Sequence, residues 1–133
     1  MNNSSPILKQ LIDLGEQELW ECVDVILPAH ANDIEIVAWA KENTRHDNHN
    51  LRDLAASVYE ASTMTLNVDD IEKLLVMIHE QIDNPYPRFR AACAFAKRAD
   101  VLDKHIVAEA RAVLREYLND EDVADIAKAY LGI

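Results

Sequence analysis

Apolar residues recur at spacings of three and four nearly from one end of this chain to the other, and this spacing is typical of amphipathic α-helices. Only short connections interrupt the pattern, and the 133 residues include just two glycines. Short connections favour antiparallel packing of successive helices. The pattern therefore predicts an all-α protein of about eight short antiparallel helices, folded as one domain over residues 1–133.

Two stretches of the chain are similar to each other. Residues 47–59 read DNHNLRDLAASVY, and residues 83–95 read DNPYPRFRAACAF. Each begins with Asp-Asn, crosses a short turn, places an apolar residue directly before an arginine, and continues into small residues. A third stretch from Asn119, NDEDVADIAKAYL, has Ala124 in place of the arginine. The copies lie 34 to 38 positions apart, which indicates a repeated helix pair.

A helix pair of this length, opened by an aspartate turn and an arginine near the start of an alanine-rich helix, resembles the HEAT repeat. The resemblance covers residues 47–131, whereas residues 1–46 match only in helix spacing. It implies a right-handed helical-repeat α-solenoid whose inner helices line a surface for partners. A multihelical array is the alternative architecture. In either case the chain is expected to be a single α-helical repeat domain.

The resemblance also implies structural roles for the turn residues. Asp47 with Arg52, and Asp83 with Arg90, would tie neighbouring units together. Pro87 suits the first turn of its helix because a backbone N–H is not needed there.

The charge balance and the termini limit the classes of function. The chain has 24 acidic residues against 13 Lys and Arg, a net charge of −11. Such a field repels phosphate backbones, so nucleic acid is disfavoured as a partner. No cationic start precedes an apolar run, and no segment approaches the roughly 20 apolar residues of a membrane span. We therefore expect a cytoplasmic protein that does not bind membranes. Cys22 and Cys93 both fall among apolar helical residues, which predicts two buried thiols.

Two histidine patterns suggest metal binding, but both are incomplete. His46 and His49 flank Asp47, yet a closed zinc site needs about four ligands and no cysteine is near. A polar turn that caps the next helix is the favoured interpretation. His79-Glu80-x-x-Asp83 is one residue from a helical zinc-protease pattern, with Asp83 where the second histidine would stand.

No other pattern indicates an enzyme. Glycines at only two positions exclude a glycine-rich phosphate loop, and no serine lies in a sharp glycine-flanked turn. We therefore expect no catalytic residue, no bound metal and no cofactor. A metal-dependent enzyme that uses His46, His49 or His79 is the least favoured alternative.

A local group of basic residues is the clearest candidate for partner binding. Lys104, Arg111 and Arg115 share one helical stripe, and further basic residues stand on the preceding helix. Such a face suits an acidic peptide or a phosphate group, unless acids of adjacent helices neutralise it. Exposed aromatic residues are also enriched in binding hot spots, although Trp39 can instead complete the core. The candidates are Arg88, Lys97, Arg98, Lys104, Arg111, Arg115, Trp39 and Tyr130.

These patterns together predict a non-catalytic protein–protein interaction or scaffold module with a protein partner. The last helix has no following helix in the sequence, so Val123, Ile126 and Tyr130 either fold back as a cap or join another protein. A homodimer through this C-terminal helix is one form of the second option. A nucleic-acid-binding module is the main alternative function, because some HEAT-like proteins bind DNA. It requires the six basic candidates to converge in one groove.

Overall fold

A computed structural model describes residues 5–79 and 84–133 of the chain. Within these ranges it contains eight α-helices and no β-strand, which confirms the prediction of an all-α protein. The helices are α1 (Pro6–Glu16), α2 (Trp20–Ile26), α3 (Ile34–Asn43), α4 (His49–Ala61), α5 (Val68–His79), α6 (Tyr86–Ala96), α7 (Lys104–Arg115) and α8 (Ala124–Leu131). A single 3-10 turn at Leu27–Ala29 follows α2.

Polar side chains fix where several helices begin. Ser5 precedes a proline at the start of α1, and its hydroxyl accepts hydrogen bonds from the N–H groups of Ile7 and Leu8. At α5, the side chains of Asn67 and Asp70 each accept from the other residue's backbone N–H, at 2.8 and 3.0 Å. Such caps satisfy N–H groups that have no partner within the helix.

The turns that precede α4, α6 and α8 share one hydrogen bond. Asn48, Asn84 and Asp120 each accept, through a side-chain oxygen, the N–H of the residue two positions later, at 2.8, 2.9 and 2.9 Å. These three residues stand 36 positions apart along the chain. The sequence similarity of the three stretches therefore corresponds to a shared local turn. Asp83, which was expected to contribute to one of these turns, lies outside the described residues.

The core is built around α4 and α6. These two helices pack against each other, with α1 and α3 on α4, and α5 and α7 on α6. Nine of the 13 residues of α4 and seven of the 11 residues of α6 are buried, including Tyr59, Phe89 and Phe95. Both helices have small side chains in the core, because the residues at positions 55, 56, 91, 92 and 94 are fully buried alanines. Small side chains allow helix axes to approach closely, so α4 and α6 form the centre of the molecule.

The N-terminal half differs from expectation at α2. This helix has seven residues and packs mainly on α1, and only Val23 in it is fully buried. Cys22 is consequently exposed, so the prediction of two buried thiols was wrong for this residue. Cys93 is buried in α6 as predicted, and its burial raises the pKa of the thiol. Across the described ranges, no helix combines the length and the apolar character that a membrane crossing requires.

Candidate functional site

A groove crosses the face of the molecule where α2, α4, α6 and α8 meet. It consists of two neighbouring cavities of about 400 and 570 Å³, and both are lined by Asp24, Arg90 and Ile126. Trp20 and Tyr86 are among the residues that line the first cavity, and Tyr130 lines the second. These volumes fall in the range typical of ligand-binding clefts. We call the two cavities together the groove.

The groove is strongly acidic. Seven carboxylate residues line it, whereas Arg90 and Lys97 are its two basic side chains, so ionised carboxylates leave an excess of five negative charges. A concave surface of one sign focuses the electrostatic field and attracts ligands of the opposite charge. The acidic residues are Glu18, Glu21, Asp24, Asp53, Glu60, Asp122 and Asp125.

Arg90 organises the centre of the groove. Its Nη1 donates to Oε1 of Glu60 at 2.7 Å, and its Nη2 lies 3.9 Å from Oδ2 of Asp24. The hydroxyl of Tyr130 donates to the other oxygen of Glu60 at 2.8 Å. These four residues, which we call the Arg90 cluster, belong to α2, α4, α6 and α8. The cluster therefore connects all four helices that form the groove.

Asp53 is a nearly buried carboxyl with few partners. It is 6% exposed, and its Oδ1 accepts one long hydrogen bond, of 3.4 Å, from the Ser57 hydroxyl. Its Oδ2 accepts no hydrogen bond from any described residue, and Asp53 forms no ion pair with them. Burial raises the pKa of this carboxyl to about 7, against the lowering effect of the Arg90 charge. A carboxyl perturbed by burial in a cleft is a common mark of a functional site.

Asn50 stands one helical turn before Asp53 and lines the same cavity. It is 8% exposed, and its side-chain amide makes no hydrogen bond to a described residue. Residues three apart on a helix are neighbours on one face, with Cβ atoms about 5–6 Å apart. The unpaired side-chain atoms of these two residues are open to the cavity, because Arg52 Nε is the one buried side-chain nitrogen or oxygen without a hydrogen-bond partner among the described residues. The first cavity is therefore lined by two adjacent polar groups that have unused hydrogen-bonding capacity and are accessible to a ligand.

Lys97 and Arg98, two of the predicted partner-binding residues, contact the C-terminal end of α4. Arg98 is buried and donates to the backbone oxygens of Ser62, Met64 and Ala94, at 3.1, 3.1 and 2.9 Å. Lys97 donates to the backbone oxygens of Glu60 and Ser62, at 2.6 and 2.9 Å. Terminal carbonyl groups of a helix lack internal partners and favour cations. Both side chains therefore stabilise the end of α4.

The other four basic candidates do not line the groove. Arg88 forms a paired contact with Glu116, at 2.8 and 3.0 Å, and donates to the backbone oxygen of Ile78. Arg111 donates to backbone oxygens at the end of α8, and Lys104 and Arg115 are exposed on α7. Lys97 is the one of the six candidates that lines the groove. The structure therefore does not bring the six together.

The remaining sequence candidates occupy varied places. Arg52 donates to the backbone oxygens of His46 and Asp47, at 2.7 and 3.2 Å, and so holds its own turn. Pro87 is buried in the first turn of α6, Trp39 packs half-buried against the core, and Tyr130 belongs to the Arg90 cluster.

His46 and His79, the histidines of the two sequence patterns, each have one close polar partner. Nδ1 of His46 accepts from the N–H of Asn48, and His79 lies 3.4 Å from Glu109. Within residues 5–79 and 84–133, no three His, Cys, Asp or Glu side chains gather as a metal site. Glu80 and Asp83 of the protease-like pattern fall outside those ranges.

Sequence reasoning missed Asn50, Asp53 and Glu60, although α4 carries a readable signal. Four of its polar residues recur at spacings of three, four and three. That spacing places a polar stripe on one face of a buried helix. The stripe consists of Asn50, Asp53, Ser57 and Glu60.

Comparisons of the chain with protein-family models, with characterised proteins and with solved structures find no match.

Proposed function

We propose that the protein is a non-catalytic interaction module whose groove receives a basic segment of a partner protein. The observation that carries this proposal is the excess of acidic side chains, seven against two basic ones, in a concave surface shared by four helices. Complementary charge raises association rates and selects the partner. Long Lys and Arg side chains also suit the site, because their stems can cover apolar groove residues such as Ile126 and Val123.

We propose further that the helix pairs form a HEAT-like repeat. The turn hydrogen bond that recurs every 36 positions supports this assignment. The Arg90 cluster gives additional support, because it takes one residue from each of α2, α4, α6 and α8. In such an arrangement these four helices are the inner layer, and the groove is the partner surface.

A basic protein segment fits the groove better than the other occupants. Nucleic acid would bring phosphate charges against seven carboxylates, which is unfavourable. A second copy of this chain carries a net charge of −11, and five basic residues of its C-terminal half already donate to backbone carbonyls, namely Lys73, Arg88, Lys97, Arg98 and Arg111. The proposal therefore commits to a different protein with exposed arginine or lysine.

A charge-reversal experiment tests the proposal. The probe is a fluorescent peptide of alternating arginine and serine, titrated with the protein at low salt. The double variant Glu21→Lys, Asp125→Lys reverses one exposed acid on each side of the groove and should weaken binding about tenfold. Added salt should weaken wild-type binding, because these charges are exposed to solvent.

The matched control is Glu35→Lys, Glu72→Lys. These exposed acids lie on α3 and α5 and do not line the groove, so the control makes the same change in net charge. We expect it to alter the dissociation constant less than about twofold. Equal weakening by both double variants would mean that the peptide senses only the overall charge, and would overturn the proposal. A peptide that does not bind the wild-type protein would overturn it as well.

A further inference from the structure

Within the groove, we propose that the first cavity is a subsite for the guanidinium group of a single arginine side chain, bound by Asn50 and Asp53 in a cavity that Trp20 and Tyr86 also line. This inference rests on the proposed function, because the arginine belongs to the basic segment that the groove receives. It adds the chemical identity of the anchoring group and the residues that recognise it.

The unused hydrogen-bonding capacity of the cavity indicates a donor-rich ligand. Asp53 has one carboxylate oxygen that accepts no hydrogen bond from a described residue, and the Asn50 amide is likewise unpaired among them. A guanidinium has five N–H donors and no acceptor, in a rigid planar fork. It can donate to the Asp53 carboxylate and to the Asn50 carbonyl at once, since both lie on one face of α4. Binding would then pair two polar groups that are open to the cavity.

The aromatic residues of the cavity favour the same ligand. Trp20 and Tyr86 line it, and aromatic rings attract a cation placed over their faces. Tyr86 is held by its hydroxyl, which donates to Asp122 at 3.1 Å, and by its backbone N–H, which donates to Asn84. A guanidinium stacks on such rings and is weakly hydrated, whereas an ammonium is compact and strongly hydrated. Arginine is therefore preferred to lysine.

The charges around the cavity permit a second cation beside Arg90. Glu60, at 2.7 Å, and Asp24, at 3.9 Å, offset the charge of Arg90. Glu18, Glu21 and Asp122 then remain as negative residues around the cavity, in addition to Asp53 itself. The local field is consequently negative even with Arg90 in place.

Recognition of arginine should depend on pH through Asp53. Burial raises the pKa of Asp53 to about 7, so a large fraction of this carboxyl is protonated at pH 6. The charged groups that face it are Arg90 from α6, Asp24 from α2 and Glu60 from α4 itself. An arriving guanidinium favours the ionised carboxylate, so binding releases a proton. Affinity for arginine should rise between pH 6 and pH 8.

The test compares two peptides of equal charge, one of arginine and serine and one of lysine and serine, on wild-type protein and on Asp53→Asn. For the wild type at pH 8, we expect the arginine peptide to bind about tenfold more tightly than the lysine peptide. In Asp53→Asn this preference should fall to about twofold or less, and the rise of arginine affinity with pH should disappear. Glu72→Gln, which removes one exposed carboxyl on α5, should change neither.

A second variant, and two negative binding results that can be told apart, test the subsite separately from the proposed function. Asn50→Ala should also reduce the arginine preference, in a protein confirmed as folded by circular dichroism. If both peptides bind equally and only Glu21→Lys, Asp125→Lys weakens them, the subsite is overturned while the groove remains the binding surface. If neither peptide binds the wild type, the proposed function fails, and the subsite fails with it.

Discussion

Asp53→Asn is expected to make the protein more stable, by an amount that grows as the pH rises. The carboxyl has a pKa of about 7 in the folded protein, whereas its value in the unfolded chain is near 3.8. Between these pH values the folded protein binds more protons than the unfolded chain, so stability falls with rising pH. The penalty is fully present above about pH 7, where the buried carboxylate is ionised. Asparagine has nearly the same shape and never ionises.

The advantage of asparagine should therefore be larger at pH 8 than at pH 5 by about 2–3 kcal/mol in the free energy of unfolding. Urea denaturation of both proteins at each pH measures this difference. Asp24 has a raised pKa, and those of Asp70 and Glu116 are lowered, so the wild-type profile combines opposing contributions. Both proteins share these contributions, so the difference between their free energies of unfolding reports the contribution of Asp53. A variant less stable than the wild type at pH 8 would contradict the account.

The measured stability of Asp53→Asn would also show whether unfolding contributes to its weaker binding of the arginine peptide. A substitution that stabilises the protein and weakens arginine recognition cannot act through unfolding. It would identify Asp53 as a group that costs stability and contributes to binding, a balance often found at functional sites.

Arg90→Met should have the largest destabilising effect within the groove. The arginine side chain is 14% exposed, and its Glu60 partner is 15% exposed. Removal of one partner leaves the other as an uncompensated buried charge, which typically costs about 3–5 kcal/mol. Asp24 and Asp53 would also lose the Arg90 field that lowers their pKa values. Methionine keeps part of the apolar stem, so the loss reports on charge rather than volume.

The double variant Arg90→Met, Glu60→Gln provides the control. Glutamine cannot carry the uncompensated charge and can still accept from the Tyr130 hydroxyl. Urea denaturation at pH 8 should show that the double variant recovers about half or more of the stability lost in Arg90→Met. Strictly additive losses would show that Arg90 and Glu60 act independently, against the role assigned to the cluster.

Local sequence signals were sufficient to predict the helices. The spacing of apolar residues and caps such as Ser5 and Asn48 depend on neighbours a few positions away, and the structure has eight helices in the described residues. Cys22 was misjudged because its burial depends on whether a second layer covers α2, and α2 packs mainly on α1. Apolar spacing alone does not give this information.

The site was harder to predict than the fold, since it depends on contacts between distant parts of the chain. The basic residues near Lys97 resemble a binding patch in the sequence, but the C-terminal end of α4 supplies carbonyl groups that accept hydrogen bonds from Lys97 and Arg98. Conversely, the sequence shows Asp53 only as one acid within a helical stretch. The structure is needed to show that residues from the regions of α2 and α8 line a cavity together with it. The polar stripe on α4 was visible in the sequence, but the residues of other helices that lie beside the stripe in the structure were not.

The central claim, that the acidic groove is the partner surface, is tested most directly by amide NMR during titration with the arginine–serine peptide. We expect the largest shift changes within residues 18–24, 50–57 and 122–126, three separate parts of the chain that each contribute residues to the groove lining. The largest changes on α3 and α5, or on α7 around Lys104 and Arg115, would contradict it.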